Sequence, residues 1–115
     1  MNKVIYILVS IFFIISNVFA HELSFKHDKF SHSKSNVLRG IHGDHKSWKL
    51  ISCIHGQIMQ VVVDMRISSK TYLKWESFDL GSHNRSMILI PPSMGNAFYV
   101  SSTFAIYHYK LAYLF

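Results

Sequence analysis

The feature that most constrains this chain is a series of short segments with apolar residues at every second position, separated by polar punctuation, from residue 23 to residue 113. Successive side chains of an extended strand point to opposite faces, so a period of two buries one face and wets the other. β-Branched and aromatic residues dominate these segments, as pleated, half-buried surfaces favour. The pattern predicts strands over 23–30, 37–42, 48–54, 57–65, 72–80, 86–90, 97–100 and 104–113. Turn signals fall between them at 31–36, Gly43-Asp44, Gly56, 67–69, 81–84, 91–95 and Ser101-Ser102. Gly56 suits a tight connection needing positive φ. Pro91-Pro92 cannot donate to a ladder, so a strand ends before them or lies at an edge. Ser93-Met94-Gly95-Asn96 then reads as a loop. No helical period and no internal repeat competes with this reading. The expectation is an all-β antiparallel sandwich or barrel.

The amino terminus follows a different rule. A short basic start, Met1-Asn2-Lys3, leads into an almost wholly apolar run over 4–15, and Val18 and Ala20 place small residues where a signal peptidase reads. That is the layout of a secretory signal cut before His21, and the run is short for a membrane span of roughly 20 residues. Residues 1–20 are therefore read as a signal-like segment and 21–115 as one domain, since 115 residues suffice for one and not two.

Without Lys3 the remaining chain carries eleven basic and six acidic side chains. This modest surplus suits an anionic ligand such as a nucleotide diphosphate, or merely solubility. The basic residues are scattered and accompany no nucleic-acid-binding motif, which argues against that class. One cysteine, Cys53, excludes an intrachain disulfide framework and reads as a small core residue.

The chemistry-bearing stretch is Val37-Leu38-Arg39-Gly40-Ile41-His42-Gly43, which sets an imidazole beside a permanent cation on what reads as buried β-structure. Taken alone, an Arg and a His at a strand end are ordinary surface residues. Further segments align with it in order: Phe25-Lys26-His27-Asp28, Lys49-Leu50, Gly56-Gln57, Val62-Val63-Asp64-Met65-Arg66, Thr71-Tyr72-Leu73-Lys74-Trp75, Ile90-Pro91-Pro92, Gly95-Asn96-Ala97-Phe98 and Tyr107-His108-Tyr109-Lys110. Together they resemble the dTDP-4-dehydrorhamnose 3,5-epimerase family, nearest to its branch of bacterial capsular nucleotide-heptose epimerases. The resemblance covers about residues 25–113.

It implies a cupin-type jelly roll and a metal- and cofactor-free isomerase acting on a nucleotide-linked 4-keto-6-deoxy sugar, hexose or heptose, at C3 and/or C5. Inverting a carbon next to a ketone needs a base, a stabiliser for the enolate, and an acid on the opposite face. The resemblance assigns these roles to His42, Lys49 and Tyr109, with Lys49 adjacent to His42 across a sheet. It gives Arg39 and Asn96 to substrate binding. Asn96 stands where rhamnose-type enzymes carry a histidine and the heptose branch carries Asn. The resemblance further implies a homodimer, a cytoplasmic place in surface polysaccharide biosynthesis, and an Asp paired with the base. That Asp would lie past residue 115, so the expected domain is a jelly roll incomplete at both ends, of marginal stability and with exposed edges. Many cupins bind metals through two His one residue apart and a following Glu. His42 and His45 are separated by two residues with no such Glu, so no metal is expected. The alternatives are an inactive fragment of such a fold, or a small secreted β-domain that binds carbohydrate or a partner.

Overall fold

The computed structural model describes residues 24–113. The signal-like segment 1–20 lies outside them. Eight strands form: β1 (Phe25–Lys34), β2 (Leu38–His42), β3 (Ser47–His55), β4 (Gln57–Asp64), β5 (Trp75–Gly81), β6 (Ile88–Ile90), β7 (Met94–Val100) and β8 (Phe104–Tyr113). They build two four-stranded antiparallel sheets, ordered β1-β8-β3-β6 and β2-β7-β4-β5. Of these strands only β4 and β5 are neighbours both in sequence and in space. The chain otherwise alternates between the sheets, which is the winding of a jelly roll.

The expected period sets the core. Ile51 and Cys53 of β3, Ile58 and Val62 of β4, Phe98 and Val100 of β7, and Ala105 and Tyr107 of β8 all point between the sheets and are buried. On the other face of the first sheet, Trp48 pairs directly with Ala112, with Phe25 and Leu89 packed against them. Gly56 makes the β3–β4 connection at φ 79°, where a Cβ would strike the Phe104 carbonyl oxygen. β6 ends at Ile90, just ahead of the two prolines.

Four expectations are corrected. β1 runs to Lys34, because the alternation continues through Ser31 and Ser33, which the turn-rich composition of 31–36 conceals. β5 begins at Trp75, since residues 71–73 form a turn organised around buried Asp64. That carboxylate accepts from Arg66, Ser69 and Thr71. β7 begins at Met94, so Met94, Gly95 and Asn96 are strand and not loop. Of the segment 37–42, read as buried, Val37 packs partly against the core while 38–42 are exposed along β2, because β2 is an edge strand.

Candidate active site

A bulge at the edge of the second sheet brings two candidate side chains onto one face. Residues three apart on a regular strand face opposite ways. Here Arg39 pairs with Phe98 while His42 pairs with Asn96, so three steps along β2 match two along β7. The extra residue resets the alternation, and Arg39 and His42 both face inward with Phe98 and Asn96. Gly40 makes this possible: its φ is 131°, and a Cβ there would lie 2.5 Å from the Ala97 Cβ.

The opposite wall comes from the first sheet. Lys49, Ile51 and Cys53 alternate inward along β3, as do Tyr107 and Tyr109 along β8, with Ile51 paired to Tyr109 and Cys53 to Tyr107. Between the walls lies a cavity of about 290 Å³. All five residues expected at the site line it: His42, Lys49, Tyr109, Arg39 and Asn96. Lys49 is not adjacent to His42 within a sheet, as expected from sequence, but faces it from the other sheet. The chain crosses between sheets at Gly43–Lys46.

Hydrogen bonds fix much of this frame. Arg39 Nε donates to Ser33 Oγ at 3.0 Å. Asn96 Nδ2 donates to the His42 carbonyl oxygen at 2.9 Å, anchoring the backbone that carries the imidazole. Among the described residues no group hydrogen-bonds the His42 ring. Asp44 Oδ2 lies 3.6 Å from Lys49 Nζ. Asp28 is engaged on the outer face by His108 and Lys110.

Three further residues line the cavity that the sequence reading did not select: Ser31, Phe98 and Tyr107. Tyr107 stacks on Phe98 with centroids 4.1 Å apart. Burial and neighbouring Tyr109 push its pKa well above the ordinary phenol value, against the nearby Gln60 amide, so Tyr107 stays protonated. The signal for Tyr107 was its place two residues before Tyr109, and for Ser31 the unbroken alternation of β1. The lining carries two basic side chains and no carboxylate, a setting that attracts anions. Among the described residues no three His, Cys, Asp or Glu side chains gather in a metal-binding group, and no helix is long and apolar enough to cross a membrane.

An antiparallel jelly roll with a polar cavity between its sheets, lined by a histidine, a lysine and a tyrosine, places the chain in the cupin class. The sequence model described as dTDP-4-dehydrorhamnose 3,5-epimerase matches residues 13–115, including the last part of the signal-like segment. The chain belongs to that family. It is 35% identical over 97 residues to the dTDP-4-dehydrorhamnose 3,5-epimerase of Escherichia coli K12, covering 82% of this chain and 52% of that protein. The chain thus spans about half the length of the curated relatives it matches. Among solved structures, the dTDP-6-deoxy-D-glucose-3,5-epimerase of Legionella pneumophila in complex with dTDP-4-keto-L-rhamnose superposes with TM-score 0.79 and 31% identity, over 88% of this chain and 55% of that one. A 4-keto-6-deoxy sugar epimerase from the novobiocin cluster of Streptomyces spheroides gives 0.77 and 28%, over 86% and 53%.

Proposed function

We propose that this chain carries the proton-transfer site of an epimerase acting on a nucleotide-linked 4-keto-6-deoxy sugar. The observation that carries this reading is that His42 and Tyr109 line one cavity from different sheets, together with Lys49. His42 removes the proton α to the ketone. The negative charge moves to the ketone oxygen, where the Lys49 ammonium stabilises it. Tyr109 returns a proton from the opposite side, inverting the carbon. Arg39 keeps the outer nitrogens of its fork for the diphosphate, since Nε is held by Ser33. Asn96 uses Nδ2 on the His42 carbonyl, leaving Oδ1 to accept from a sugar hydroxyl.

The ligand class is supported by the dTDP-4-keto-L-rhamnose in the Legionella enzyme. A 3'-monoepimerase of Streptomyces bikiniensis in complex with dTDP-quinovose, at TM-score 0.75 and 26% identity, is also among the similar structures, so inversion at C3, C5 or both fits this fold. Within the class, Asn96 favours a heptose and a role in capsular polysaccharide. A homodimer and a cytosolic location, where nucleotide sugars are made, complete the proposal. The unbonded His42 ring favours a second reading, in which the cavity binds the nucleotide sugar without exchanging its proton.

Solvent deuterium incorporation next to the ketone, followed by mass spectrometry, separates the two. Wash-in is expected, and lost in His42→Gln. Folded protein that binds the nucleotide sugar with no wash-in above background supports the second reading. Mapping the amino terminus of the expressed protein tests the location: cleavage before His21 on exported protein would overturn the cytosolic assignment.

A further inference from the structure

The turn from β2 to β3 carries His42 at its start and Lys49 just past its end, and Asp44 organises it. Asp44 Oδ1 accepts from the backbone N–H of Lys46 at 2.8 Å and of Ser47 at 2.7 Å, and Oδ2 accepts from the Ser47 hydroxyl. The Asp44 carbonyl accepts from the Ser93 N–H at 2.7 Å. The Ser93 hydroxyl in turn pairs with His45 Nδ1 at 2.9 Å. The turn is thereby clamped to the connection that leads into Asn96, the residue anchoring the His42 carbonyl. Burial opposes ionisation of Asp44, but its donors and Lys49 outweigh it and hold the pKa at about 2. The carboxylate is a fixed anion. Beside it, the Lys49 side chain is only 14% exposed and lines the cavity.

A lysine ammonium sits on a flexible four-carbon stem. A charge locked 3.6 Å from Nζ holds that stem in place. Three donors to the carboxylate mean that its position is set by the turn and not by the lysine.

We propose that Asp44 is a positioning residue for Lys49, its fixed negative charge holding the ammonium in place at the cavity wall. This rests on the reading that Lys49 meets a developing oxyanion. Asp44 then acts on the reaction through its charge, and on the turn through its oxygens, and these parts are separable. In Asp44→Asn, Oδ1 still accepts from both backbone N–H groups while the charge is gone. Deuterium wash-in should fall roughly ten-fold, the scale of one lost charge-assisted contact. In a Lys49→Met background the same substitution should have no further effect. Equal losses in both backgrounds overturn the proposal.

A second measurement does not depend on activity. Competitive acylation by acetic anhydride, read by peptide mass spectrometry, should label Lys49 several-fold faster in Asp44→Asn relative to Lys70, because an amine no longer pinned against its anion is freer to meet the reagent. Asp44→Ser, which keeps a turn-capping oxygen, should do the same. An unchanged ratio in both variants overturns the proposal whatever the activity. Faster labelling in a protein whose wild type shows no wash-in upholds the Asp44–Lys49 pairing while the epimerase reading fails.

Discussion

The Arg39–His42 bulge makes the single substitution Gly40→Ala a severe test of how the site is built. At φ 131° an alanine is strained, and residues forced into such regions cost about 1–3 kcal/mol. The added Cβ would also lie 2.5 Å from the Ala97 Cβ, 2.7 Å from its Cα and 2.9 Å from the Asn96 carbonyl oxygen. Two of these three are backbone atoms of β7, which cannot swing aside as a side-chain end would. Overpacking of this kind costs about 1–3 kcal/mol more. The total, about 4 kcal/mol, is a large share of the roughly 5–15 kcal/mol that holds a domain together. For a domain of this length it corresponds to a melting point lowered by roughly 15–30 °C. The chain can escape only by losing the bulge, which turns His42 to the outer face of the sheet. Either outcome abolishes wash-in, and a thermal melt distinguishes unfolding from slippage. Ala97→Gly in the same chain removes the Cβ overlap but leaves the strain and both backbone contacts, so the double variant should recover well under half of the lost stability. Gly40→Ala melting within a few degrees of wild type, with exchange intact, would refute the bulge as the device that sets both side chains.

The remaining expectations concern the opposite wall and the supporting contacts. Tyr109→Phe should keep wash-in at the His42 side while inverted product, followed by NMR of the sugar, falls about 10²–10⁴-fold; unchanged inversion would remove Tyr109 from the acid role. Ser33→Ala frees Arg39 Nε and should raise the KM for the nucleotide sugar several-fold with kcat nearly constant, whereas a fall confined to kcat would contradict a binding role. The Asp44 carboxyl titrates at about 2 in the folded chain against an ordinary 3.8, so its stabilisation is present above pH 3.8 and is lost as pH falls through 2. With the side chain 46% exposed, solvent screens the effect and keeps it small. Urea midpoints measured from pH 5 to pH 2 should fall less in Asp44→Asn than in wild type, and identical slopes would contradict this.

Much of the sandwich was legible because the residues between its sheets follow period two along β3, β4 and β8. Ile51 and Cys53, Ile58 and Val62, and Ala105 and Tyr107 each alternate with residues on the other face. Misplaced boundaries arose where composition and periodicity disagreed. Ser31 and Ser33 resemble turn residues, yet they continue the alternation of β1 and end beneath Arg39 and at the cavity. Met94-Gly95-Asn96 follows two prolines and contains a glycine, but Gly95 is there for close packing: a Cβ would come within 2.7 Å of Ile41 Cγ2. The five candidate site residues come from the resemblance and not from spacing. Spacing alone would have set Arg39 and His42 on opposite faces, because nothing in a one-dimensional pattern announces a bulge except a glycine. The role of Asp44 was hidden for a related reason. Asp44 lies in the turn between the sheets and its partner Lys49 five residues on in β3, so their meeting depends on how the turn crosses.

Splitting the site between two sheets bears on the stereochemistry of the proposed reaction. Inversion requires a proton to leave one face of a carbon and another to arrive at the opposite face. Groups on one sheet share a wall and would serve the same side of a flat sugar ring. Here His42 stands on β2 and Tyr109 on β8, so a ring inserted between the sheets has the base on one side and the phenol on the other. The spacing of the two walls is governed by what fills the sandwich beside the cavity, chiefly the Phe98–Tyr107 stack, whose rings come one from each sheet. Facing sheets pack roughly 10 Å apart with their inner side chains filling the gap, so the separation of the two walls follows the size of the rings between them. The core therefore acts as the gauge of the site. In the proposed reaction, a change in the size of either ring would shift His42 relative to Tyr109, whose ring centroid lies 5.8 Å from that of Tyr107.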